Sequence, residues 1–102
     1  DKDFHITSFN AAAEAITVTT NGYITPTGTL VRLTSEGNVY TNQLALTTAG
    51  RLAVLWNHGA ATVTITDTGT SKLAGSWVGG PSDTLLLWSD GTAWLELGRS
   101  DT

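Results

Sequence analysis

Apolar residues in this chain recur at every second position, in short bursts. Residues 61–66 (ATVTIT) set Val63 and Ile65 on one side and Thr62, Thr64 and Thr66 on the other. Residues 15–20 (AITVTT) set Ile16 and Val18 against threonines in the same way. A period of two belongs to a half-buried strand, whose side chains point alternately to opposite faces. Further strands are predicted over 23–25, 29–34 (TLVRLT), 43–47 (QLALT), 72–75 (KLAG) and 76–79 (SWVG). Residues 51–57 (RLAVLWN) are largely apolar, so this strand is predicted to be central. No helical period runs for any length, and the best candidate, residues 10–15 (NAAAEA), is too short to hold a helix alone. Gly, Asn, Asp and Pro punctuate the bursts, at Asn21-Gly22, Pro26 to Gly28, Glu36 to Asn38, Ala49-Gly50, Asp67 to Gly69 and Asp90-Gly91 among others. Short strands so closely spaced predict an all-β fold, a compact sandwich or a short β-solenoid-like domain. No exact internal repeat is visible, which argues against a long regular β-helix. Residues 1–14 read as an N-terminal arm whose Phe4, Ile6 and Phe9 dock on a neighbour, and residues 15–102 as one β domain.

The closing stretch, residues 83–99 (DTLLLWSDGTAWLELGR), breaks the alternation. A two-residue turn at Asp90-Gly91 would pair Leu87 with Trp94, Leu86 with Leu95 and Leu85 with Glu96. One face then carries Trp88, Leu86, Ala93, Leu95 and Leu97, and the other Leu87, Leu85, Trp94 and Glu96. A four-residue loop gives the same faces. Both are apolar, and each Leu or Trp left in water forgoes about 1.5–3 kcal/mol. Either the hairpin lies between two layers of its own domain, or another chain covers it. A chain of 102 residues has little material for three layers. The expected oligomer seam is therefore Leu85, Leu86, Leu87, Trp88, Trp94, Leu95, Glu96 and Arg99, with the choice of core face and interface face left open.

Composition narrows the partners. Nine acidic and five basic residues give a net charge of −4 and a pI near 4.7. The bases (Lys2, Arg32, Arg51, Lys72, Arg99) stand singly, which argues against binding nucleic acid or an anionic membrane. Charged residues make up only 14% of the chain, against about 25% in ordinary soluble domains, so much of the surface is expected to be hidden. There is no cysteine, hence no disulfide, zinc–thiolate site or thiol nucleophile. No apolar run approaches the ~20 residues of a membrane-spanning helix. The chain opens on Asp1 and holds no methionine, so it is expected to be a processed chain or a fragment.

Residues 50–101 resemble a module found in bacteriophage virion proteins, at the ends of fibres and spikes and in small structural proteins. The resemblance rests on Gly50, Val63, Ile65, Asp67, Leu73, Ala74, Gly75, Asp83, Leu85, Asp90, Gly91, Trp94, Glu96 and Arg99, in that order. It covers about half the chain; residues 1–49 share only Thr-rich strands with the family, and Ser71 stands where it has Asn or Asp. The resemblance implies a β-rich module that assembles as a homotrimer and carries no chemistry. It also implies that Glu96 and Arg99 are structural, an ion pair at a subunit seam.

Candidate chemistry is sparse. A Ser–His–Asp set can be drawn from Ser82 or Ser89, His58 and Asp83, but no Gly-x-Ser-x-Gly elbow accompanies it. Asp67 and Asp90 fall at Gly turns, where the aspartate's own local hydrogen bonds account for them without a glycosidase pair. No zinc or EF-hand spacing is present, and no phosphate loop. Of the four tryptophans, Trp56, Trp88 and Trp94 lie among leucines on strands. Trp77, in the Gly-rich GSWVGGP, is the one expected to be exposed to a glycan or a neighbouring protein.

Together these readings predict a non-enzymatic homotrimer without cofactor or metal, located on the phage particle. The expected role is capsid decoration, a cement protein contacting the major capsid protein or other virion proteins. The alternatives are a tail fibre or tailspike terminal domain for trimerisation or receptor binding, and a carbohydrate-binding module facing a host glycan.

Overall fold

The structure is a computed structural model that describes residues 13–45 and 48–100, leaving aside the side chains of Thr41 and Asn42. Phe4 and Phe9 of the expected arm lie outside the described residues. Ten strands run in order: β1 (Glu14–Thr17), β2 (Tyr23–Ile24), β3 (Leu30–Thr34), β4 (Val39–Leu44), β5 (Arg51–Asn57), β6 (Val63–Ile65), β7 (Ser71–Lys72), β8 (Trp77–Gly79), β9 (Thr84–Ser89) and β10 (Trp94–Ser100). No helix occurs among the described residues, and Glu14 and Ala15 of the short helical candidate are in β1.

The strands form two sheets, ordered β1-β3-β5-β9-β10-β7 and β2-β4-β6-β8. Through β6 the chain alternates between them, so that β1, β3 and β5 stack in parallel in one and β2, β4 and β6 in parallel in the other. This is the winding of a short solenoid. Glu14 lies beside Val31, 17 residues on, whereas Leu30 lies beside Val54, 24 residues on. These unequal turns explain why no repeat is visible in the sequence. The rest of the chain closes the winding: β8 adds to β6, β9 to β5 and β10 to β9, all antiparallel, and β7 lies parallel beside β10.

The inner faces of both sheets share one core. Val31, Leu33, Ala53, Leu55, Leu85, Leu87 and Trp94 come from the six-stranded sheet, and Ile24, Val39, Leu44, Val63, Ile65 and Trp77 from the other. The period-two reading holds here, since Val63 and Ile65 are inward and β5 is an interior strand flanked by β3 and β9. The predicted strand at 43–47 begins earlier, at Val39, because Val39 N–H donates to Thr62 O and joins the ladder on β6.

Buried polar groups tie the layers together. Asn57, fully buried at the end of β5, donates from Nδ2 to Ala61 O and Gly79 O (both 2.8 Å) and accepts from Gly59 N–H (3.2 Å). Ser71 Oγ accepts Leu44 N–H (3.0 Å), and the Trp94 indole N–H donates to Ala45 O (2.8 Å). Left unpaired, each such group would cost about 1–3 kcal/mol.

Trp77 corrects its sequence reading: it is fully buried. Strand alternation puts Trp77 and Gly79 on the same face of β8, and the indole lies flush over Gly79. Gly79, part of the Gly-rich stretch that suggested exposure, is the space that admits the ring. A Cβ at residue 79 would stand well inside van der Waals contact of the indole. Gly79→Ala is therefore expected to destabilise the fold by about 1–3 kcal/mol through overpacking. Urea unfolding should show a lower midpoint with an unchanged slope.

Candidate functional site

The closing hairpin settles which of its faces is core. Its turn has four residues, not two: Trp94 pairs with Ser89, Leu95 with Trp88 and Glu96 with Leu87. Asp90 builds this turn. Its Oδ1 accepts Thr92 N–H (2.8 Å), Thr92 Oγ1–H (2.9 Å) and Ala93 N–H (2.9 Å), while its own N–H donates to Ala93 O (3.2 Å). These bonds, led by the Thr92 N–H, hold the Asp90 carboxyl below its ordinary range. Gly91 supplies the positive φ of 94° that the turn needs. The pairing differs from the expected one by two residues, an even number, so each side chain keeps its face. A bulge at Leu97 then pairs Gly98 with Leu86 and Arg99 with Leu85.

Leu85, Leu87 and Trp94 are fully buried in the chain's own core, so the expected seam loses these three members. The remaining face points away from the second sheet. Registers place it in rows across the strands: Leu52, Trp88, Leu95 and Lys72 in one; Leu30, Val54, Leu86 and Gly98 in the next; Arg32, Trp56, Thr84 and Ser100 in the third. Leu97 is 57% exposed, Leu52 41% and Trp88 39%; Leu30, Val54, Leu86 and Leu95 are half-buried. Together these positions form a continuous, largely apolar outer face of the sheet. The strand positions of these rows include cations, Arg32 and Lys72, and no carboxylate. The sequence reading missed Leu52 and Val54, which only the pairing of β5 with β9 brings beside Trp88 and Leu86.

Glu96 and Arg99 form an ion pair, with Arg99 Nε on Glu96 Oε2 (2.8 Å) and Nη2 on Oε1 (2.7 Å). The pair clamps the loop between β7 and β8. Arg99 Nη2 donates to Gly75 O (2.7 Å), and Glu96 Oε1 accepts Ala74 N–H (2.9 Å). The Arg99 hydrogen bonds hold the Glu96 carboxyl below its usual range; partial burial opposes them, and the Ala74 N–H and the guanidinium charge add to the lowering. Glu14 is lowered as well: burial raises it, and hydrogen bonds from Thr27 and Gly28 together outweigh that.

The candidate chemical groups do not converge. Ser89 pairs with Arg51 at one end of β5 while His58 follows Asn57 at the other, about 20 Å away at the usual strand rise. Ser82 and Asp83 do lie at the His58 end, through Ser82 N–H to Asn57 O and Asn57 N–H to Asp83 O. There the Asp83 side chain is buried and accepts Gly80 N–H (2.8 Å), and the His58 ring meets Trp56 edge-on at 4.6 Å. Asp67 Oδ1 accepts Leu73 N–H (3.1 Å), so it too serves its own turn. Among the described residues, no three His, Cys, Asp or Glu side chains gather where they would hold a metal ion.

Comparison with protein-family models, curated proteins and solved structures finds no match to this chain.

The lowered carboxyl of Glu96 makes a pH prediction. Because its folded value lies below the unfolded one, its stabilisation is complete above the ordinary value of 4.5 and is lost as pH falls through the folded value. Arg99→Met is expected to cost about 1–2 kcal/mol at pH 7. It should also make stability fall less steeply below pH 4.5, as measured by urea unfolding across the acid range.

Proposed function

We infer that this chain is a non-enzymatic structural protein of a bacteriophage particle, a homotrimer that decorates and cements the capsid. The observation that carries the assembly is the outer face of the six-stranded sheet, apolar across β5, β9 and β10 and without a carboxylate. Covering such a face with a second copy recovers the transfer free energy of its leucines and tryptophans, at about 25 cal/mol per Å² buried. A closed cyclic assembly repeats one contact and gives a multivalent clamp on a symmetric shell. The virion setting rests on the resemblance of residues 50–101 to phage structural modules, several of whose motif residues hold the fold here. Asp90 and Gly91 make the hairpin turn, Glu96 and Arg99 clamp a loop, and Trp94 fills the core.

A second reading, a terminal domain of a tail fibre or spike, draws on the winding. β1 and β2 are edge strands of their sheets in the first turn of the solenoid, where a further turn would stack in parallel. The carbohydrate-binding reading loses Trp77, its intended contact, to the core.

Light scattering on the purified chain is expected to give three chains per particle at micromolar concentration. Leu86→Asp combined with Leu97→Asp should yield a monomer with an unchanged far-ultraviolet circular dichroism spectrum. A parent chain that is monomeric throughout would remove the assembly. Loss of capsid heat stability when the chain is withheld from the particle would separate cement from fibre.

A further inference from the structure

Arg32 stands out on the outer face. It lies in β3 directly beside Trp56 of β5, whose ring is braced edge-on by His58. Arg32 is half-buried, and its Nε is fully covered with no hydrogen-bond partner. Its terminal nitrogens are not among the buried atoms that lack a partner and make no hydrogen bond within the described residues, so the charged end of the guanidinium reaches the surface of the face. No ion pair or hydrogen bond within the described residues engages it. A half-buried guanidinium beside an indole gains most from a planar carboxylate, which it binds with two parallel N–H···O bonds.

The described carboxylates differ in how free they are to fill that role. Glu14, Asp67, Asp90 and Glu96 each accept hydrogen bonds from their own chain, and Asp83 is buried. Glu36, exposed in the turn after β3, accepts none. Lys72 already lies near Asp90 of its own chain, whereas Arg32 has no carboxylate in its strand row; the chain carries −4 overall, so a second copy offers Arg32 the complementary charge.

We propose that Arg32 is a specificity-determining residue of self-association, paired in the assembly with Glu36 of a neighbouring copy. This rests on the assembly proposed above and names the polar contact that fixes its orientation. The apolar rows supply the attraction but slide without much penalty. A charge pair at their margin selects one register and penalises the others.

The test measures the trimer dissociation constant by sedimentation equilibrium at low and high salt, for the parent and for Arg32→Met, Arg32→Lys and Glu36→Gln. Circular dichroism confirms the fold of each variant. Arg32→Met and Glu36→Gln are each expected to weaken association about tenfold and to flatten its salt dependence. Arg32→Lys, which keeps the charge and the fold but loses the fork, should fall between them and the parent. The exchange Arg32→Glu with Glu36→Arg should restore association to within a few-fold. A trimer indifferent to Arg32→Met or to Glu36→Gln overturns the pairing and leaves the assembly standing. So does a trimer of parental strength in which Arg32→Met instead abolishes binding of an acidic oligosaccharide such as oligogalacturonate. A monomeric parent overturns both.

Discussion

The structure depends on the antiparallel seam between β5 and β9. β5 is the last parallel strand of the winding in its sheet, and its free side would be an open edge of unpaired N–H and C=O groups beside a largely apolar strand. Such an edge templates aggregation. β9 covers it along its length, from Arg51 opposite Ser89 to Trp56 opposite Thr84. The same seam delivers Leu85, Leu87 and, through β10, Trp94 to the core. By strand alternation it must then present Leu86, Trp88 and Leu95 outward, next to Leu52 and Val54. Core and outer face are thus two consequences of one pairing. A run of leucines that seals the interior on one side leaves an apolar surface on the other.

The polar residues follow a complementary economy. A chain with few charges uses its carboxylates on its own backbone. Glu14 holds the turn at Thr27 and Gly28, Asp67 the approach to Leu73, Asp90 the hairpin, and Glu96 the loop at Ala74. Each satisfies N–H groups that a short-stranded fold leaves without ladder partners. The result is a set of well-fixed corners, and a sheet face on which the cations Arg32 and Lys72 have no acidic neighbour in the strand rows.

Where the period of two was clean, the sequence could be read directly. The inward Val63 and Ile65 are as the alternation requires, β5 is interior as its largely apolar run requires, and Asp90 and Gly91 form a turn. The hairpin faces were legible because a turn of two or four residues preserves parity. The register within them was not, because Asp90 caps two amide groups beyond Gly91 and lengthens the loop. Trp77 was misread for a related reason. The Gly-rich surroundings of Trp77 suggested exposure, yet here the missing Cβ of Gly79 is what lets the indole lie flat in the core. The early start of β4 was hidden because its ladder partner, β6, lies more than twenty residues downstream.

By itself the sequence determined the local geometry: strands of period two, tight turns at Gly, Asn and Asp, and a hairpin apolar on both faces. These follow from backbone sterics and side-chain alternation, which act within a few residues. Only the tertiary structure decided which strands are neighbours. Parallel stacking with unequal turns of 17 and 24 residues leaves no period in the chain. The assignment of Leu85, Leu87 and Trp94 to the core, and of Leu52 and Val54 to the outer face, depends on contacts between segments that are distant in sequence. The outer face exists only when β3, β5, β9 and β10 lie side by side, because each contributes one to three residues that alone would be ordinary exposed apolar positions.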